Sequence, residues 1–138
     1  MISEFIREYS FWIFDFLKGG KIRKHYTEIK STVDSTNFIQ LKKDQHRKLK
    51  TLLIHAKDTT NFYNEFEITS LSNFPVINKN IIRENFAEII STKYNIQELI
   101  PAITSGSTGT PLKVFHDINK KKRNYADTLY FSKRAGYR

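Results

Sequence analysis

The sequence predicts an α/β fold, mostly helical, with one β-hairpin that carries a connection rich in Gly, Ser and Thr. Three observations lead there. Apolar residues recur at helical spacing over about 2–18, 21–32, 38–57, 79–90 and 118–134. Two short runs, 96–103 (IQELIPAI) and 112–115 (LKVF), have few charges and the apolar, β-branched content of strands. Between them lies TSGSTGTPLK at 104–113, a tract able to turn many backbone N–H groups and hydroxyls toward one point, which suits an anion such as phosphate. A two-stranded hairpin cannot organise a core alone, so the chain is expected to be the first part of a larger α/β protein.

In chain order, residues 2–18 form an amphipathic helix whose stripe is Phe5, Ile6, Tyr9, Trp12, Ile13, Phe16 and Leu17. Phe11 and Phe14 lie off that stripe, so the helix is apolar around more than half its girth and must dock on the protein body or on a membrane surface. Its polar face is not basic, which favours the protein body. Gly19-Gly20 ends it, a short helix follows to about Thr32, and Asp34-Ser-Thr-Asn37 is read as a linker. In the helix over 38–57, Leu41, Leu49, Leu52, Leu53 and Ala56 line one face, and Lys42, Lys43, His46, Arg47 and Lys50 the other. Phe62, Tyr63 and Phe66 supply aromatic anchors beyond its end, and Phe74 before Pro75 is extended. Asn78 caps a helix over 79–90, and Asp117 caps the last one, where Ala126, Leu129 and Tyr130 face inward and Gly136 ends the run.

Composition narrows the function. There are no cysteines among the 138 residues, which excludes disulfides and thiolate metal sites. No run is long enough to span a bilayer and no leader pattern is present, so a cytoplasmic location is expected. The net charge of +9 is uneven: residues 18–57 hold eleven cations against three acids, and 113–138 eight against two. Such a balance first suggests nucleic acid. The basic face of the 38–57 helix has no aromatic or amide set at regular spacing for reading bases, so a solvated face accounts for it and nucleic acid is disfavoured. Lys120-Lys-Lys-Arg123 opposes the macrodipole at its helix N-terminus and is likewise read as solvated. His25, His46, His55 and His116 have no metal-ligand spacing, and His55 is expected in a helix contact. Glu84 and Glu88 are a like-charged i, i+4 pair, without acid–base character.

The tract itself is neither a Walker A loop, because Gly106 and Gly109 are three apart and no Gly-Lys-Ser/Thr follows, nor a dinucleotide fingerprint. On residues alone it is an anion cradle or a flexible turn. The whole string TSGSTGTPLKV, however, resembles the phosphate-binding signature of the adenylate-forming superfamily, the acyl-CoA synthetases and their relatives, whose usual form is Ser/Thr-Ser-Gly-Ser/Thr-Thr-Gly-x-Pro. LKTLLIHAKDTTNFYNEF is similar to the helix and aromatic pair that precede that signature, and FPVINKNIIRENF to the segment between them. Together these resemble the phenylacetate–CoA ligase branch and, within it, CapK-like proteins of surface-polysaccharide gene clusters.

The resemblance implies that 1–37 is a helical extension and that 38–138 begins an AMP-binding domain, the N-terminal part of the large domain of an adenylate-forming enzyme. It implies ATP, Mg2+ and CoA as cofactors, and a carboxylic acid as the substrate that is adenylated and passed to a thiol. Thr104, Ser105, Gly106, Ser107, Thr108, Gly109 and Thr110 would wrap the nucleotide phosphates, Pro111 would fix the exit into the second strand, and Lys113 would add a charge. The family's adenine- and ribose-contacting motifs, hinge and catalytic Lys come further downstream, so no catalytic residue is assigned within these 138 residues and the chain alone is expected to be inactive. The rival reading is a small basic protein that binds nucleic acid or an anionic surface.

Overall fold

The computed structural model describes residues 2–104 and 111–137, with residues 2–5 described by backbone alone. They form helices α1 (Ile2–Leu17), α2 (Lys21–Val33), α3 (Phe38–Thr59), α4 (Lys79–Glu84), α5 (Phe86–Ile89) and α6 (Ile118–Arg134), and strands β1 (Ile100–Ile103) and β2 (Lys113–His116). The strands pair as a two-stranded antiparallel sheet, so the mostly helical architecture with one hairpin is as expected. The residues group into two compact units, 1–36 with 116–138, and 37–115. The last helix thus groups with the first two.

In the first unit α2 packs along α6. Ile29, Ala126 and Tyr130 are buried between them, flanked by Ile22 and Tyr26. Ala126 is fully buried, and its small side chain allows close approach of the two helices. Rings extend this core: Tyr26 meets Tyr130 edge-on at 5.7 Å, Trp12 meets Tyr26 at 5.5 Å, and Phe11 lies 5.7 Å from Tyr125. Tyr125, despite that contact, and Phe131 stay about half exposed.

The docked face of α1 differs from the expected one. Phe11, Trp12 and the buried Asp15 face the unit's interior, whereas Ile6, Tyr9, Ile13, Phe16 and Leu17 are exposed, Phe16 by 74%. The reason is at the helix end. Gly19 and Gly20 both take positive φ, Gly19 closing α1 with Gly20 N–H on the Asp15 carbonyl and Gly19 N–H on that of Phe16. That reversal brings the first turn of α2 onto the Asp15 carboxylate, which accepts from the N–H groups of Ile22 (3.2 Å) and Arg23 (2.8 Å). Gly20, at the N-cap position of α2, has no side chain to do this. The Asp15 cap on α2 thus goes with the same rotation of α1 that docks Phe11 on Tyr125 and Trp12 on Tyr26.

Asp34 is more than a linker residue. Its carboxylate accepts from Lys30 (2.7 Å), from the Tyr130 hydroxyl (2.8 Å) and from Arg134 (3.0 Å), tying the end of α2 to α6. At the far end of α6 the positive-φ Gly136 and the Tyr137 N–H on the Ser132 carbonyl complete the expected glycine stop.

In the second unit the long helix α3 starts at the Asn37 cap and buries Leu53, with Leu41, Leu49 and Ala56 half-buried; Leu52, expected on that face, is exposed. The end of α3 is stitched to the segment after α5: the Thr59 carbonyl accepts from Thr92 N–H (2.7 Å), and Ser91 donates to the Thr59 hydroxyl (2.9 Å). Phe62, Tyr63 and Phe66, the expected aromatic anchors, cluster with Phe74, Phe66 stacked on it at 5.8 Å, and burial pushes the Tyr63 phenol up.

Two elements are shorter than expected. The helix over 79–90 breaks at Asn85, which leaves helical geometry at φ −110° and ψ 26° while its backbone N–H and its side-chain amide both donate to the Ile81 carbonyl. Of the run 96–103, only Ile100–Ile103 is strand. Asn95 accepts from the Gln97 N–H and turns Ile96–Glu98 into a 3-10 turn.

Candidate phosphate-binding hairpin

The hairpin presents the ends of its glycine-rich connection at one place. Along β1, Ile100 and Ala102 are half-buried while Pro101 and Ile103 are exposed, the period-two alternation of a half-covered strand. Pro101, without an N–H, fits the edge of a sheet that has no third strand among the described residues. β2 turns Val114, Phe115 and His116 partly inward and leaves Lys113 exposed.

Thr104 and Leu112 close the base of the connection. The Thr104 N–H donates to the Leu112 carbonyl at 3.0 Å, and the Leu112 N–H donates to the Thr104 hydroxyl oxygen at 2.9 Å. The Thr104 side chain thus clamps the two arms together. A hydroxyl that accepts one hydrogen bond still has its own proton to donate, so the clamp and a donation to an anion are compatible. Ser105, Gly106, Ser107, Thr108, Gly109 and Thr110, six of the nine residues expected to hold the nucleotide, lie outside the described residues.

The remaining two expected residues are placed. Pro111 leads into β2, and its carbonyl accepts from the Arg83 guanidinium at 3.3 Å. Lys113 holds its ammonium 5.0 Å from the centre of the Phe115 ring, two residues on along the same strand face. Its charge is therefore held on the face from which Phe115 meets Phe86, at 5.9 Å.

Arg83 was not singled out in the sequence, and Phe86 was read only as one of the apolar residues on one side of the helix over 79–90. Both belong to the FPVINKNIIRENF segment, and they grip the hairpin from one short helical stretch, Arg83 at the end of α4 and Phe86 at the start of α5. Asn78 positions that stretch by capping α4 through the N–H groups of Asn80 (2.9 Å) and Ile81 (3.0 Å). Asn80 in turn accepts from Arg83 at 3.3 Å. The segment resemblance was the one available signal; neither spacing nor periodicity pairs residue 83 with residue 111.

Two of the four histidines make ordinary side-chain contacts, and His46 is exposed. His25 bonds Asn119 at 3.0 Å, and His55 lies edge-on to Tyr94 at 6.5 Å, which is a contact beyond its helix but not with another helix. Among the described residues no group of three or more His, Asp or Glu is arranged to hold a metal ion, and no helix is long and apolar enough to cross a membrane.

Comparison with curated proteins finds Protein CapK of Staphylococcus aureus, 26% identical over 132 residues that cover 88% of this chain. The chain is a distant homologue of CapK. It spans 28% of the length of CapK, a little over a quarter, and the match is correspondingly partial. No family model matches the chain, and no solved structure does. The similarity to CapK is wider than the hairpin, since 88% coverage must reach well into the helices on the N-terminal side of the tract.

Proposed function

We propose that these residues carry the phosphate grip of an AMP-forming acid–thiol ligase of the phenylacetate–CoA ligase/CapK type, acting in surface or capsular polysaccharide biosynthesis. The observation that carries the reading is the Thr104–Leu112 clamp. It brings both ends of SGSTGT together at the tip of a two-stranded hairpin, where a short Gly/Ser/Thr connection can curl its N–H groups and hydroxyls around one anion. The distant homology to CapK supports it independently of that geometry.

In the reaction so proposed, a carboxylate oxygen attacks the α-phosphorus of ATP and the bond to pyrophosphate breaks. A thiol, that of CoA in the simplest case, then attacks the acyl carbonyl and AMP leaves. The residues of this chain act only in the first half. Ser105, Ser107, Thr108 and Thr110 donate to phosphate oxygens, Gly106 and Gly109 let the backbone approach them, and Lys113 adds a cation at the exit. Mg2+ arrives with the nucleotide. Holding the leaving pyrophosphate in place lowers the barrier by positioning and by offsetting developing charge.

The test is pyrophosphate binding by the 138-residue chain, followed by calorimetry and repeated with Gly106→Val. Binding that is weak, tolerant of salt and lost in the variant is the expected result. Equal binding by the variant, or none by the wild type, would sink the proposal.

A further inference from the structure

We propose that the exposed side of α1 docks on the surface of an anionic membrane. Ile6, Tyr9, Ile13, Phe14, Phe16 and Leu17 are each at least 56% exposed, although the helix is folded against α2 and α6 by its other side. At about 100° per residue these six cover about 160° of the helix circumference, and no charged residue falls among them. The Ser10 hydroxyl, which does, donates to the Ile6 carbonyl at 2.8 Å and so needs no water. So wide an apolar arc exceeds the seam that one partner helix covers. Among the described residues no helix is long and apolar enough to cross a bilayer, so the helix proposed to bind lies along the interface rather than through it.

The charges beside this arc choose the partner. In the sequence the acids of α1 offset its cations, but the fold turns two of those acids away. Glu8 is paired with Lys133 at 2.8 Å, and Asp15 is buried on the α2 N–H groups. Arg7 and Lys18 stay exposed on the edge next to Phe14, seven residues before it and four after. Lys21 and Lys24, exposed just past the glycine turn, extend the positive charge. None of these four cations is paired with an acid among the described residues. A second copy of the chain would bring the same cations and few acids to answer them, since Glu28, Asp34 and Asp127 are also in ion pairs within the unit. A bilayer containing anionic lipid answers both features at once. Its headgroups attract the cations, and its acyl boundary takes the Phe, Ile and Leu side chains. Because α1 is already helical and held by its docked side, binding does not have to order it.

The test is sedimentation of the full chain with vesicles of phosphatidylcholine, alone or with about one-third phosphatidylglycerol. Tighter binding to the mixed vesicles, by roughly tenfold or more, is expected. Leu17→Glu, at an exposed position and so without effect on folding by circular dichroism, should weaken that binding by roughly tenfold or more. Arg7→Gln combined with Lys18→Gln should cost roughly as much on the mixed vesicles and nothing on phosphatidylcholine alone. Phe16→Trp supplies a reporter on the docking side, whereas the native Trp12 packs on Tyr26. The emission of the introduced indole should shift to the blue on the mixed vesicles. No binding, equal binding to both kinds of vesicle, or binding undiminished in Leu17→Glu overturns the proposal. Adsorption without the blue shift does so too, since the contact then lies elsewhere, on a surface such as the basic face of α3. So does a wild type that is dimeric without lipid and monomeric as Leu17→Glu, for a second copy then covers the face. Should Leu17→Glu fail to fold, the paired charge variant and the indole decide the matter. Pyrophosphate binding is a separate measurement, and none of these outcomes bears on it.

Discussion

Three acidic side chains show how single residues set this structure, and each does so from outside the site. Asp15 is buried at the junction of α1 and α2 and accepts two α2 N–H groups. Asp15→Ala strands those donors, and the expected loss in urea unfolding is about 1–3 kcal/mol, with no change in pyrophosphate binding. Asp34 is held below the ordinary carboxylate range, first by the hydrogen bond from Lys30 and then by that from Tyr130. Glu8 is lowered in the same sense by the hydrogen bond from Lys133. A carboxylate whose pKa is lower folded than unfolded adds stability above the unfolded value, near pH 4. That stability is lost as pH falls through the lower folded value. Thermal melting of wild type and Asp34→Asn should therefore differ at pH 7 and converge as the pH drops below about 4. A gap that widens in acid would refute the assignment.

At the scale of elements, α1 carries the clearest lesson. Its periodicity showed a helix with an apolar side, but with aromatics around more than half of the girth the pattern did not say which side is covered. Trp12 and Phe11 dock, and Ile13 and Leu17 do not. Ile13→Glu or Leu17→Glu should change stability by no more than about 0.5 kcal/mol, whereas Trp12→Ala should cost about 2–3 kcal/mol in the same urea titration. Reversal of that order would mean that the helix docks through its other face. The contact of α2 with α6 gives a complementary test. Ala126 is fully buried, so Ala126→Leu overpacks the seam and should lower stability by about 1–3 kcal/mol. Asn95 explains one of the two shortened elements, since its side chain takes the Gln97 N–H, a local competition that hydrophobic spacing does not register; Asn85 leaves helical geometry with its own N–H still on the Ile81 carbonyl.

For the molecule as a whole, the decisive quantities are phosphate affinity and its salt dependence. The exposed basic side chains of α3, Lys42, Lys43 and Lys50, lie in the other reading, that of a nucleic-acid or anionic-surface binder. Binding of a generic duplex that falls steeply with salt would support that reading; a phosphate grip predicts little duplex affinity and pyrophosphate binding that changes only modestly. The chain assayed by itself for ATP–pyrophosphate exchange with a panel of carboxylates is expected to show none above background, since the proposed grip would position phosphates and would offer no group to the acid or the adenine.

The sequence by itself determined the helices, the hairpin, most of their caps and the kinship with CapK, because each is written in neighbouring residues: Asn78 before α4, Asp117 before α6, the glycines after α1 and α6, and the unbroken string TSGSTGTPLKV. Only the tertiary structure decided which face of α1 is buried, that Asp34 joins α2 to α6, and that Arg83 reaches Pro111. Those depend on residues tens of positions apart. Their pairing is selected by where whole elements come to rest, and local pattern contains no term for it.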